Sequence, residues 1–280
     1  MKFKLVENLS EAILLHWGNL DKGIKADKRS IMVGRGTGHF GTGFYFINAD
    51  NPKYGLNTDY KYSDREDVWE LDSSSYNLYK PRSNNDAYTL HDQLKELNNL
   101  NDFSLNGEEI SKNLKSDVEE LSDYLYDNYF SINDKDREIT DDDISQMYLK
   151  LIKKYNIDKY LADWDLQEAV KNNQYGLLED WIYEAIEDAD KDGYHFTLAL
   201  TDLSYRFHKP KDELLQIIKQ AYNDKNNEDS ISTMFMKALR YEGIDVSHLM
   251  SDAQGLSGLD NFKYGTVIYD LKPGTYKKIR

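Results

Sequence analysis

Hydrophobic spacing divides this chain more sharply than any single motif does. Up to Ser83, β-branched and aromatic residues come in short runs between serine- and glycine-bearing turns, with Val68-Trp69-Glu70-Leu71 and Tyr76-Asn77-Leu78-Tyr79 as examples. That pattern predicts strands. From Asp86 onward, apolar residues recur three or four positions apart: Leu90, Leu94, Leu97 and Leu100, then Val118, Leu121, Leu125 and Tyr129, then Ile144, Met147, Leu151 and Tyr155. This spacing lines one face of a helix. Thr140 with Asp143 reads as an N-capping pair. Further helices are expected over Leu166 to Val170, Gly176 to Ile186, Thr197 to Phe207 and, after Pro210, Asp212 to Tyr222. Asn223 to Asp229 reads as a polar linker and Ser230 to Leu239 as the last helix. The tail returns to β-branched runs at Gly243-Ile244-Asp245-Val246 and Thr266-Val267-Ile268-Tyr269, with a loop from Ser247 to Asn261. The expectation is an α+β protein whose mixed sheet is built from both ends of the chain, 1–85 and 230–280, around an all-helical insertion at 86–229.

The charge follows the same division. The chain carries 35 basic and 50 acidic residues, a formal net charge of −15. Between Asp86 and Ser230 there are 34 acidic and 16 basic residues, whereas the flanks hold 16 acidic and 19 basic. Such a balance argues against general binding to a nucleic-acid backbone, which needs clustered Lys and Arg facing phosphate.

A length of 280 residues suffices for one large or two ordinary domains with a proper core. Cysteine is absent, so thiolate catalysis, cysteine metal sites and disulfides are excluded. No apolar run reaches membrane-spanning length, and Met1-Lys2-Phe3-Lys4 leads into mixed sequence without a signal-peptide pattern. A soluble, cytoplasmic protein is expected.

The chemistry-bearing residues concentrate near the start. An apolar run from Glu11 ends in His16, and a glycine-rich stretch (Gly34, Gly36, Gly38, Gly41 and Gly43) introduces the aromatic run Phe44-Tyr45-Phe46. Glycines there permit positive φ and a close approach of backbone N–H groups to a ligand. From Asp21 to Arg35, five basic residues outnumber two acidic ones. That balance suits an anionic ligand or, equally, a solvated basic loop.

Phe40-Gly41-Thr42-Gly43-Phe44-Tyr45-Phe46 resembles the Phe-Gly-x-Gly-x-Tyr-Phe signature of ADP-ribosyltransferases of the poly-ADP-ribose polymerase and diphtheria-toxin branch, and His16 stands where that branch opens its His-Tyr-acid triad. Met236 to Asp245, and Leu259 to Tyr269, resemble the closing helix and strand of phage-encoded relatives, some of which are anti-CRISPR proteins. The resemblance implies the split mixed-sheet fold of that branch and NAD as substrate. His16 would hold a ribose hydroxyl and Tyr45 would stack on the nicotinamide, with Tyr54, or else Tyr60, on its other side. Trp17 and Gly18 would meet the carboxamide, and Gly41, Gly43 and Arg35 would serve the rest of NAD. The polymerase glutamate falls at Gly265, which has no side chain. Asp260 matches an aspartate that the phage relatives carry slightly earlier, with Glu242 and Asp270 next in line.

Three functions follow from this reading. The first is transfer of ADP-ribose from NAD to a macromolecular target, such as a host or defence protein met in the host cytoplasm. The second is an inactive relative that binds a basic surface through its acidic insertion. The third is NAD hydrolysis. Two further motifs fall short. Asp188 to Gly193 opens like a calcium-binding EF-hand loop but has Ala199 at the closing glutamate position, and a helix-to-helix turn is expected there. Gly34 to Gly38 lacks the Lys-Ser/Thr end of a phosphate-binding P-loop.

Overall fold

The computed structural model describes residues 13–17, 20, 40–49, 67–133, 137–224, 229–249 and 265–279. They form seven strands and seven α-helices. The chain divides into two compact units, one made of 1–99 with 212–280 and the other of 100–211.

The first unit holds the sheet. Its strands are β1 (Leu14–Trp17), β2 (Phe44–Asn48), β3 (Val68–Leu71), β4 (Leu78–Tyr79), β5 (Gly243–Asp245), β6 (Thr266–Ile268) and β7 (Tyr276–Lys278). They lie in the order β4-β5-β6-β2-β1-β3-β7, all antiparallel except β4 with β5. Strands from the two ends of the chain interleave: β6 pairs with β2, and β7 with β3. The runs expected to be strands at Val68, Gly243 and Thr266 are strands, whereas Tyr76-Asn77 is not. Ahead of β4 the chain makes a 3-10 turn at Ser73–Ser75, capped by the Asp72 carboxylate accepting from Ser74 N. Hydrogen bonding from Ser74 holds the Asp72 carboxyl below its usual pKa.

Period-two alternation sorts the sheet's side chains. Leu14, Phe44, Phe46, Trp69, Leu71 and Ile268 belong to one apolar cluster. Tyr45, Ile47 and Val267 alternate to the other side and are equally buried. The helices of this unit are α1 (Asn84–Asn98), the later α6 (Lys211–Asn223) and α7 (Ile231–Ala238). Ser83 caps α1 by accepting from Asp86 N. Ser230 caps α7 by accepting from Thr233 N.

The second unit contains α2 (Asp102–Leu125), α3 (Asp141–Lys154), α4 (Asp163–Lys171) and α5 (Tyr175–Phe207). Thr140 and Asp143 form the expected reciprocal capping box at the start of α3. The turn expected at Asp188 to Gly193 does not exist. These residues lie inside α5, which runs unbroken for 33 residues and joins the two helices expected over 176–186 and 197–207. The residue at 193 is glycine where α2 crosses α5 at backbone contact. A Cβ on Gly193 would stand 3.1 Å from Glu108 N, and one on Gly107 would stand 2.1 Å from the Ala189 carbonyl oxygen. α2 bends at this crossing, where Asn106 leaves helical geometry at φ −133°. Among the described residues no helix is long and apolar enough to cross a membrane.

Gly107→Ala should destabilise the helical unit by about 1–3 kcal/mol, the usual cost of forcing atoms into packed space. Gly176→Ala, at the start of α5 where a Cβ meets nothing within 4 Å, should be neutral or stabilising by up to about 1 kcal/mol. Urea unfolding followed by helical circular dichroism compares the two.

Candidate functional site

The pairing of β1 with β2 consists of Leu14↔Asn48 and Leu15↔Ile47, reinforced by Ala49 N donating to the Ile13 carbonyl at 2.8 Å. Beyond Leu15 the strands part. β1 continues along β3 through His16↔Trp69 and Trp17↔Val68, while β2 continues along β6 to Phe44↔Ile268. At the point of parting the His16 side chain bridges the two strands, its Nδ1 lying 2.9 Å from the Tyr45 carbonyl oxygen. A carbonyl only accepts, so Nδ1 carries the proton in this contact. The residue is 6% exposed, and its ring meets Phe46 edge-on at 5.6 Å between centroids. The hydrogen bond and the aromatic edge together fix the orientation of the imidazole.

Tyr45 is the second expected site residue that the structure describes in full. His16 meets its main chain, and alternation sends its ring away from the Phe46 side of the sheet. Its hydroxyl, on a residue 3% exposed, donates to the Gly41 carbonyl at 2.6 Å and accepts from Phe40 N at 3.2 Å. The Tyr269 hydroxyl donates to the Phe40 carbonyl at 3.2 Å. Burial pushes that phenol's pKa well up, with Tyr45 and Asp229 adding to the shift.

The glycine loop is docked on the start of α7. Thr42 N donates to Ser230 Oγ at 3.2 Å, Ser230 N to Thr42 Oγ1 at 2.5 Å, and Thr233 Oγ1 to the Thr42 carbonyl at 3.0 Å. Gly41 has φ +95°, and a Cβ there would stand 2.4 Å from Thr233 Oγ1. A Cβ on Gly43 would stand 2.7 Å from Val267 Cγ2. The space that these two glycines leave open is filled by the protein's own atoms.

Trp17 closes β1 opposite Val68. Gly18, Arg35, Tyr54, Tyr60 and Asp260 lie outside the described residues. Gly265, where the polymerase glutamate would fall, precedes β6 and accepts from Val246 N through its carbonyl at 2.6 Å. The reserve acids occupy a different place. Glu242 accepts from Asn77 N and Lys272 Nζ, both at 2.9 Å, which holds its carboxyl below the ordinary pKa, with the Lys272 bond as the larger cause. Asp270 pairs with Lys237 at 2.5 Å. Both acids line one open cleft of about 410 Å³ with Lys237, Arg240 and Lys272, and His16 is not in its wall.

Sequence reasoning missed Asp245. It is opposite Thr266, which is opposite Phe46, the neighbour of the His16 ring. The residue is 7% exposed, and its carboxylate accepts from Ser247 N at 2.9 Å, Ser247 Oγ at 2.5 Å and Thr266 Oγ1 at 3.0 Å, with Lys80 Nζ 3.5 Å away. Three strand spacings separate β5 from β1, about 14 Å, so Asp245 does not touch His16. A charged residue inside the otherwise apolar run Gly243-Ile244-Asp245-Val246 is the available signal. Among the described residues no group of three or more His, Asp or Glu side chains is arranged to hold a metal ion.

No family model, no curated protein and no solved structure matches this chain.

Tyr45→Phe should cost about 1–3 kcal/mol, because it takes the phenol away from the buried Gly41 carbonyl and Phe40 N–H that it bonds. Tyr205→Phe removes a hydroxyl from a residue that is 77% exposed and should leave stability unchanged. Chemical denaturation of the wild-type protein and the two variants decides whether the Tyr45 hydroxyl is structural.

Proposed function

We propose that this protein is an NAD-dependent ADP-ribosyltransferase acting on a macromolecular target. The observation that carries the reading is the His16 imidazole, fixed in one orientation by the Tyr45 carbonyl where β1 and β2 part. An imidazole so held can orient a ribose hydroxyl before reaction, and orientation of this kind lowers the barrier by removing freedom beforehand. The Phe-Gly-x-Gly-x-Tyr-Phe likeness gives the substrate, and a sheet assembled from both chain ends and opening between two strands is compatible with the split fold expected from that likeness.

The fit of NAD to the described residues is partial. His16 suits the ribose. Gly41 and Gly43 influence the substrate through the loop they shape, since their close approaches are to Thr233 and Val267. Tyr45 holds His16 by its carbonyl and the loop by its hydroxyl, and its ring, buried on the other side of the sheet from the His16 ring, is not placed to stack on a nicotinamide whose ribose His16 holds. In the reaction the bond between ribose C1′ and nicotinamide breaks and nicotinamide leaves with the electron pair. A nucleophile of the target then bonds to C1′ and gives up its proton. A carboxylate at Asp260 would stabilise the positive charge that develops on the sugar.

Incubation with NAD labelled in the adenosine half should transfer label to protein in a lysate of the host while nicotinamide is released. His16→Ala should weaken NAD binding and reduce transfer together. Asp260→Asn should retain most NAD affinity and lose about a hundredfold or more in transfer, the usual cost of removing one such electrostatic group. Nicotinamide release without any protein labelling would favour hydrolysis. Absence of both would overturn the enzymatic reading.

A further inference from the structure

The helical unit at 100–211 carries 26 acidic and 13 basic residues, so a net −13 of the chain's −15 resides there. Its longest helix has two unlike faces. One is buried and includes Leu178, Ile182, Ala189, Phe196, Leu200 and Leu203. The other exposes Tyr183 (46%), Tyr194 (60%), Leu198 (47%) and Tyr205 (77%). At 100° per residue these four fall within about 60° of one another, on a line about 33 Å long from Tyr183 to Tyr205. Glu184, Glu187, Asp190 and Asp202 are exposed along the same outward side, with Lys191 as the cation among them.

A merely solvated face would be charged and polar, whereas this one places three tyrosines and a leucine in water along one line. Tyrosine is well suited to such a position in an interface, since it offers large contact area at low entropic cost and a polar tip. The surrounding charge selects the occupant. A nucleic acid has the wrong sign. A second copy would bring another unit of net −13 against the first. Arginine satisfies both features at once, because its guanidinium pairs with carboxylates and also stacks on tyrosine faces, which the more strongly hydrated lysine ammonium does less well.

We infer that the outward face of α5 from Tyr183 to Tyr205 is a docking surface for a basic, arginine-bearing protein surface. This identifies the kind of target that the proposed transferase would meet, but it rests on the helix face and not on NAD chemistry.

Fluorescence anisotropy of labelled deca-arginine and deca-lysine peptides titrated with the full-length protein tests the inference. Deca-arginine should bind tighter than deca-lysine by about fivefold or more, as expected when stacking adds to charge. The double substitution Tyr194→Ala/Tyr205→Ala should abolish that preference while the weaker lysine-type binding persists. Asp190→Asn/Asp202→Asn should weaken both peptides and reduce the salt dependence. All four positions are at the surface, and circular dichroism verifies that the variants keep their helix content. Equal affinity for the two peptides, or an arginine preference that survives the tyrosine double variant, would overturn the inference. So would a concentration-dependent dimer, seen by sedimentation, that the tyrosine double variant abolishes, because the face would then belong to a second copy. NAD turnover is not read in any of these measurements, so failure of the transferase proposal leaves them interpretable.

Discussion

Two residue pairs, Leu14↔Asn48 and Leu15↔Ile47, join the part of the sheet made by β1, β3 and β7 to the part made by β2, β4, β5 and β6. The geometry of the candidate site follows from how short that junction is. Where the ladder between β1 and β2 stops at Leu15, the Tyr45 carbonyl needs another donor, and His16 supplies it from its side chain. A buried carbonyl left without a donor would cost free energy comparable to a lost hydrogen bond, so the histidine is held where a chemically useful ring can be presented. The structural role and the proposed catalytic role of His16 are therefore compatible, one using Nδ1 and the other the rest of the ring.

The glycine loop shows how a motif associated with ligand contact can also be a packing device. Gly41 adopts a conformation that L side chains rarely reach, and it does so against the hydroxyls of Ser232 and Thr233. The Tyr45 hydroxyl then closes the loop from within. The loop, the cap of α7 and β2 form one hydrogen-bonded assembly, so a substitution in any of them should be felt by the others.

The two units differ in what holds them. The sheet unit relies on strands too short to be stable singly, and its cluster of Leu14, Phe44, Phe46, Trp69, Leu71 and Ile268 draws on residues far apart in the chain. The helical unit relies on long amphipathic helices and local caps, with the Gly107–Gly193 approach fixing how α2 and α5 cross. The acidic excess accumulates in the unit whose helices leave an outward face available for it.

The sequence by itself determined the class of each region. β-branched and aromatic runs at Val68 and Thr266, helical spacing from Leu90, and the Thr140–Asp143 cap are all local signals, because side-chain shape, side-chain direction and capping depend on residues within one turn or a few strand positions. His16 and the Phe40–Phe46 run were also legible as a place of interest. Only the tertiary structure decided what those residues touch. A turn is expected at Asp188 to Gly193 from its likeness to the opening of an EF-hand loop, but the crossing with α2 needs a residue without a side chain at Gly193, and the stretch packs as continuous helix. Asp245 joined the row of Thr266 and Phe46 through strand pairing between segments about 200 residues apart in the chain, measured from Phe46 to Asp245. Register of that kind is set by which faces are buried together, a property that belongs to the assembled sheet and to no single stretch of the sequence.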